Sequence, residues 1–149
     1  MKKKFINTVA AEFEIATFYL DDYFLGIKIE AIQEINRNLK ITKVYHADEH
    51  IAGVINLRGD VITVIDLRRK LGLKQKNITE NSRNIILDYE GNRVGLLVDK
   101  IEDIITVNEA DIAPPPPNLG EIEGKYFVKV LKLKDKLLAA LNIDAVLGI

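Results

Sequence analysis

The sequence predicts a mainly β protein that folds as a barrel or a sandwich. Short runs rich in β-branched and aromatic residues recur along the chain, and turn-forming residues separate them roughly every 8–12 positions. Two of these runs flank Gly59-Asp60, which predicts a tight hairpin because glycine adopts the positive φ that a two-residue loop requires. The length of 149 residues is enough for one domain with a substantial apolar core.

Alternating apolar and polar residues, bounded by turn-forming residues, predict the other strands. Besides the hairpin, the predicted strands span residues 13–20, 23–27, 41–44, 84–89, 93–99, 101–107, 126–133 and 137–142. Segments without this pattern are predicted to be irregular, and they are a lead-in at 1–10, a polar loop between two halves at 74–83 and a proline connector at 114–117.

Helical structure is predicted only in short pieces. The isoleucines Ile29, Ile32 and Ile35 fall at helical spacing, which predicts a helical turn before the strand at 41–44. Asp66 precedes a short run in which leucines share one side, so it is predicted to be the N-cap of a short helix. Asp144 is predicted to cap a second short helix at the end of the chain.

The hairpin has one apolar and one mixed face. Centring the loop on the Gly-Asp pair predicts that Leu57 faces Ile62 across the hairpin. The face predicted to be core consists of Ile55, Leu57, Ile62 and Val64. The opposite face carries Asn56 and Arg58, which a core hairpin does not need, so these residues indicate a further contact.

Composition and motifs argue against most enzymes and against a nucleic-acid partner. The net charge of −1 leaves no surplus of Lys and Arg for phosphates, and the absence of cysteine excludes thiol catalysis. The single serine, Ser82, lacks the Gly-x-Ser-x-Gly elbow, and His46 and His50 do not fit the His-Glu-x-x-His order of zinc proteases. We therefore expect a protein that is not an enzyme and has no cofactor or metal.

The sequence also predicts a cytoplasmic location. Lysines follow Met1, but Glu12 and Glu14 interrupt any apolar stretch that could form a signal peptide. No run approaches the roughly 20 apolar residues that a membrane-spanning helix needs. Direct insertion into a membrane is therefore not expected.

Three sequence blocks carry a resemblance to a known family. Residues 53–59 read Gly-Val-Ile-Asn-Leu-Arg-Gly, and residues 61–68 read Val-Ile-Thr-Val-Ile-Asp-Leu-Arg. The blocks at residues 93–101 and 32–35 occur in the matching order and spacing. Together they resemble the CheW family of bacterial chemotaxis coupling proteins over roughly residues 12–147.

The resemblance implies a more specific fold. It implies two SH3-like β-barrels, packed together with short helices and with a hydrophobic groove between them. A single CheW-like domain would then occupy residues 1–149. Its first barrel half would span roughly residues 12–78 and its second roughly 79–147, with strands possibly exchanged between the halves.

The resemblance also implies a function. A CheW-like chain would be a non-catalytic adaptor that couples the cytoplasmic signalling tip of methyl-accepting chemoreceptors to the regulatory domain of the CheA histidine kinase. It would associate with membrane-bound receptor arrays through protein contacts. The residues matching the receptor-binding groove are Ile32, Glu34, Ile35 and Arg58. The residues expected to shape the motif and its turn are Asn56, Leu57 and Gly59.

Several alternatives remain open at this point. Arg58 has a structural interpretation, in which its guanidinium fixes the end of the hairpin, and a functional one, in which it contacts a partner helix. Ile32 is as consistent with core packing as with contact, whereas a carboxylate such as Glu34 in apolar surroundings usually has a partner. Other functions to consider are a CheW-like regulatory module of another signalling system and a small β-barrel ligand-binding protein.

Overall fold

The structure, a computed structural model, describes residues 11–148 and is mainly β. The strands are β1 (Glu12–Leu20), β2 (Tyr23–Lys28), β3 (Ile32–Asn36), β4 (Ile51–Leu57), β5 (Asp60–Asp66), β6 (Arg83–Tyr89), β7 (Asn92–Val98), β8 (Lys100–Asn108), β9 (Ile112–Ala113), β10 (Asn118–Leu119), β11 (Ile122–Glu123), β12 (Phe127–Lys132) and β13 (Leu137–Leu141). The α-helices are α1 (Leu67–Lys70) and α2 (Ile143–Leu147). The predicted lead-in at residues 1–10 lies outside the described residues.

Two large sheets form the body of the molecule. The six-stranded sheet has the order β8-β1-β2-β13-β12-β9, and the five-stranded sheet has the order β3-β6-β7-β5-β4. Most neighbouring strands are antiparallel, but β2 pairs with β13 and β5 pairs with β7 in parallel. Each sheet combines strands from before and after residue 79, so the two layers are linked by several crossings of the chain.

Both sheets are apolar on both faces, and this creates three clusters of buried side chains. The central core lies between the sheets and includes Phe18, Leu20, Leu25, Ile27, Ile65, Ile85, Leu87, Leu96 and Val98. The inner core of the six-stranded sheet contains Ile15, Phe24, Val107, Leu131 and Leu138. The inner core of the five-stranded sheet contains Ile55, Leu57, Ile62, Val64 and Ile86. Each sheet therefore curls around a core of its own and packs against the other sheet through the central core.

The hairpin formed by β4 and β5 has the predicted core face but a different register. Leu57 pairs with Asp60 rather than with Ile62, so the two-residue loop is Arg58-Gly59. Both loop residues have positive φ, 51° and 90°, as a type I′ hairpin turn requires. A shift of two positions does not turn a strand over, and the predicted core face is therefore buried as expected.

Two local predictions between β2 and β4 were wrong or partly wrong. The helical turn is a 3₁₀ turn at Ile29–Ala31, whereas the isoleucines at positions 32 and 35 lie on β3, which pairs with β6. The strand predicted at 41–44 is reduced to a single bridge between Thr42 and Val54. Pairing with β6 overrides the helical spacing of the isoleucines, since strand formation depends on neighbouring strands.

The predicted helix caps had mixed outcomes. The Asp66 carboxylate accepts hydrogen bonds from the backbone N–H groups of Arg68 and Arg69, which confirms it as the N-cap of α1. The N-cap of α2 is Asn142 rather than Asp144, which lies in the first turn of that helix. No helix within residues 11–148 is long and apolar enough to cross a membrane.

Candidate functional site

Arg58 and Glu34 form an ion pair at one end of the five-stranded sheet. Arg58 lies in the turn between β4 and β5, and its Nη2 donates a hydrogen bond to Oε1 of Glu34 on β3. The strands β3 and β4 are the opposite edges of this sheet, so the ion pair links the two edges where the sheet curls. The side chain of Arg58 is 67% exposed and that of Glu34 25%, so the pair lies at the surface.

The Glu34 carboxylate is held in its ionised form by its neighbours. Arg58 contributes most, and a hydrogen bond of 3.3 Å from Nδ2 of Asn36 to Glu34 Oε2 contributes next. Together they lower the pKa of the Glu34 carboxyl below its ordinary value, against a smaller opposing effect of burial. The carboxylate is therefore charged at neutral pH.

A series of hydrogen bonds from asparagine side chains stabilises the turn. The Asn56 Oδ1 accepts a hydrogen bond of 3.0 Å from the Gly59 N–H, which closes the turn from within. Nδ2 of Asn38 donates to the Asn56 carbonyl at 3.1 Å, and Nδ2 of the fully buried Asn84 donates to the Asn38 carbonyl. This chain of amides connects the hairpin end to the segment after β3 and to β6.

The remaining predicted groove residues occupy different surroundings. Ile32 is half-buried at the rim of the central core, where Ile101 of β8 also lies. Ile35, directly after Glu34 on β3, has 36% of its surface exposed. Leu57 is buried in the inner core of the five-stranded sheet. The structure thus brings Glu34 and Arg58 into contact, and it places Ile32 at the junction of the two sheets.

The turn carries two further features that the sequence prediction did not assign to the site. Val61, next to the turn on β5, is 71% exposed. Arg93 at the start of β7 donates through Nη2 to Oδ2 of Asp60, so a second ion pair lies beside the first. Arg93 belongs to the sequence block at residues 93–101, and this membership was the one available signal for it. The surface around the turn therefore combines two ion pairs with exposed apolar side chains.

A second arginine, Arg68, has a buried side chain at the centre of a charged cluster that the sequence prediction missed. Its Nη1 lies 2.9 Å from Asp21 Oδ1 and 2.7 Å from Asp99 Oδ2, and its Nη2 lies 3.0 Å from Asp21 Oδ2. Its Nε donates to the Lys74 carbonyl at 2.8 Å. The Arg68 side chain is only 6% exposed. We refer to Arg68, its two aspartates and the nearby Lys76 as the Arg68 cluster.

The Arg68 cluster joins parts of both sheets. Asp21 lies in the β1–β2 turn, Arg68 in α1 after β5, and Asp99 between β7 and β8. Asp99 Oδ2 also accepts from the Asp21 N–H at 2.9 Å. The Arg68 guanidinium, followed by the Lys76 ammonium, lowers the pKa of Asp21 from 3.8 to about 2. The cluster therefore ties a turn of the six-stranded sheet to the helix that follows the five-stranded sheet.

Comparison with known proteins identifies the family. A family model described as the CheW-like domain matches residues 14–148. The chain belongs to the CheW family. The chemotaxis protein CheW of Bacillus subtilis (strain 168) is 34% identical over 134 residues, covering 90% of this chain and 86% of the relative. The chemotaxis protein CheW of Rhizobium meliloti (strain 1021) is 32% identical over 133 residues, covering 89% and 86% of the two chains.

A solved CheW structure shares the fold. The scaffolding protein TtCheW from Thermoanaerobacter tengcongensis superposes with a TM-score of 0.86 at 31% sequence identity, covering 93% of this chain and 94% of that one. The predicted family, the mainly β fold of two packed barrels and the role of a chemotaxis adaptor are thereby confirmed. FrzA of Myxococcus xanthus is also similar, with 31% identity over 122 residues.

His46 and His50 lie in turns of the segment between β3 and β4, and His46 has a positive φ of 66°. Among residues 11–148, no group of three or more His, Cys, Asp or Glu side chains could hold a metal ion.

Proposed function

We propose that this CheW-family chain is a non-catalytic adaptor that joins the cytoplasmic signalling tip of chemoreceptors to the regulatory domain of the CheA histidine kinase. The observation that carries the proposal is the exposed Glu34–Arg58 pair, which the fold assembles from two sequence blocks shared with the family. The receptor-binding surface then comprises this pair, Ile32 and Ile35. The chain would act at membrane-bound receptor arrays through these protein contacts.

Arg58 can bind a partner while its ion pair with Glu34 stays intact. A guanidinium has five N–H donors, and one bond to Glu34 leaves donors on Arg58 that point into solvent. The exposed side chain of Val61, next to the turn that carries Arg58, supplies apolar area near these donors. Apolar anchors next to an arginine are the composition that recurs at the energetic centres of protein interfaces.

The junction of the two sheets suits a helical partner. Ile32 comes from the five-stranded sheet and Ile101 from the six-stranded sheet, and both lie half-buried at the rim of the central core. An amphipathic helix binds a groove by placing a stripe of apolar side chains into it. The proposed occupant is one face of the helical hairpin at the receptor tip, with its polar side toward Arg58.

Coupling would follow from differential binding rather than from chemistry. A receptor can shift the equilibrium of the kinase only as far as the assembly binds one kinase state better than another. An adaptor that holds both proteins at once transmits that difference by fixing their relative positions. The Arg68 cluster keeps the two sheets in one arrangement, which favours such transmission.

The test is a titration of the full chain with a cognate receptor signalling-tip fragment and, separately, with the kinase regulatory domain. The proposal predicts binding to both, and a loss of about 2 kcal/mol or more in receptor affinity for Arg58→Ala. Lys134→Ala is the matched control, because it removes an exposed cation far along the chain from the turn. Receptor binding that is unchanged in a folded Arg58→Ala variant would overturn the assignment.

A charge exchange separates the two interpretations of Arg58. The double variant Glu34→Arg with Arg58→Glu keeps an ion pair between β3 and the turn but moves the guanidinium to β3. Recovery of receptor binding would assign the pair a positioning role, in which it holds the turn over β3. Continued loss in a folded double variant would assign Arg58 a direct contact.

A further inference from the structure

Two lysines share one aromatic ring on the six-stranded sheet. Nζ of Lys28, at the end of β2, lies 4.9 Å from the centre of the Phe13 ring, and Nζ of Lys129, on β12, lies 4.6 Å from it. Phe13 itself packs against the inner core of this sheet. The two ammonium groups therefore gather where that core reaches the surface, on a different sheet from the Glu34–Arg58 pair.

Neither lysine has an acidic partner in the described part of the chain. None of the ion pairs within residues 11–148 includes Lys28 or Lys129. Residues 1–10 contain no Asp or Glu that could supply one. Glu109 acts on Lys129 electrostatically but is not paired with it. Burial and then Lys28 lower the pKa of the Lys129 ammonium, as expected for two like charges brought together without an acid between them.

A β-bulge sets this arrangement. The register between β12 and β13 shifts between Phe127 and Lys129, so Val128 is an extra residue without a partner. Bulges redirect side chains and are common at edges that bind. Val128 is 49% exposed. On its other side β12 pairs with β9 at Val130 and Leu131, and the proline run at 114–117 continues alongside the bulged segment to Gly124, whose N–H donates to the Pro117 carbonyl at 2.7 Å.

We propose that Lys28, Phe13 and Lys129 form a docking site for an acidic segment of a partner protein. A carboxylate between the two ammonium groups would relieve their mutual repulsion and accept a charge-assisted hydrogen bond from each. An apolar residue next to that carboxylate would cover Val128.

The test uses the isotope-labelled full chain and a blocked peptide, Gly-Leu-Glu-Glu-Val-Gly, with a Gln-for-Glu peptide as the ligand control. The proposal predicts that the acidic peptide causes NMR chemical-shift changes centred on Phe13, Lys28 and 127–129. The Gln-for-Glu peptide should cause no such changes. In the double variant Lys28→Gln with Lys129→Gln the affinity falls by about tenfold or more, the effect expected when hydrogen bonds to charged groups are lost. Lys132→Gln, an exposed lysine on the same strand, leaves the affinity unchanged.

The thermal unfolding midpoint provides the folding control. It should change little in the double variant, because the lost contacts of the two ammonium groups with the Phe13 ring are offset by the removal of a repulsion between like charges. If that variant unfolds, the single Lys28→Gln variant gives the same comparison, since the Lys28 side chain is exposed. Equal binding of the Gln peptide would overturn the site, as would full affinity in a folded variant. Shift changes confined to the lysines at positions 2–4 would overturn it too.

Discussion

The two arginines at either end of β5 behave in opposite ways. Arg58 precedes the strand, is 67% exposed and bonds to one carboxylate, that of Glu34. Arg68 follows the strand, is 6% exposed and bonds to two aspartates and a backbone carbonyl. The difference shows that two arginines only ten residues apart have different roles. The buried one holds the sheets together, and the exposed one is available to a partner.

Exposure to solvent determines how much each arginine contributes to the free energy of unfolding. An exposed pair is screened by water, so breaking it changes the free energy of unfolding by about 0–1 kcal/mol. Removing the buried Arg68 guanidinium loses several charge-assisted hydrogen bonds, which costs about 2–4 kcal/mol even though Asp21 and Asp99 keep some contact with water. The comparison therefore predicts a large separation between variants at the two positions.

The largest effect is expected for Arg68→Ala. It removes the buried guanidinium that bonds to Asp21, Asp99 and the Lys74 carbonyl, and we expect the free energy of unfolding to fall by about 2–4 kcal/mol from the hydrogen bonds lost. Urea denaturation measures this change in the free energy of unfolding. Lys70→Ala is the control in the same helix, because Lys70 is in no ion pair within residues 11–148. A loss below about 1 kcal/mol for Arg68→Ala would remove the contrast between the clusters.

A smaller loss is expected for Arg68→Lys, which sharpens the comparison by keeping the charge. An ammonium cannot reproduce the planar fork that reaches both aspartates and the Lys74 carbonyl. We expect a loss of about 1–3 kcal/mol in the free energy of unfolding, from the hydrogen bonds no longer made. Stability equal to that of the unchanged protein would mean that charge alone holds the cluster together.

Acid should weaken the Arg68 cluster in a defined window. Because the folded-state pKa of Asp21 is lowered to about 2, its contribution to stability is complete above its ordinary value of 3.8 and is lost as the pH falls toward 2. The free energy of unfolding of the parent chain should therefore fall across this window. In Asp21→Asn the fall should be shallower. Parallel pH profiles for the two chains would contradict the pKa assignment.

The smallest effect on stability is expected for Arg58→Ala. The pair with Glu34 is exposed, so the free energy of unfolding should change by less than about 1 kcal/mol, and salt should reduce the difference further. Denaturation at low and high ionic strength measures both effects. A loss as large as that of Arg68→Ala would show that the turn is part of the structural core.

Local patterns predicted the strands and the faces of the hairpin well. Side chains on a strand alternate, so the core face of the hairpin follows from its residues even though the register was wrong by two positions. The cap at Asp66 was also predictable, since its partners are the next residues along the chain. The strand at 41–44 failed because strand formation depends on a neighbour that local sequence does not reveal.

The two clusters differ in how far the sequence could reveal them. Arg58 and Glu34 are 24 residues apart, and they were singled out because their blocks resemble a family. Arg68 meets Asp21 and Asp99 at separations of 47 and 31 residues, and although it ends the block at residues 61–68, nothing in the sequence pointed to these partners. Its burial depends on how the sheets pack, so it became visible only in the folded chain.

The measurement that tests the central claim most directly is a titration of a receptor signalling-tip fragment into Arg58→Ala, with unfolding measured on the same preparation. The account predicts that receptor affinity falls by about 2 kcal/mol or more while the free energy of unfolding stays within about 1 kcal/mol of the unchanged protein. Full receptor affinity in the folded variant would contradict it.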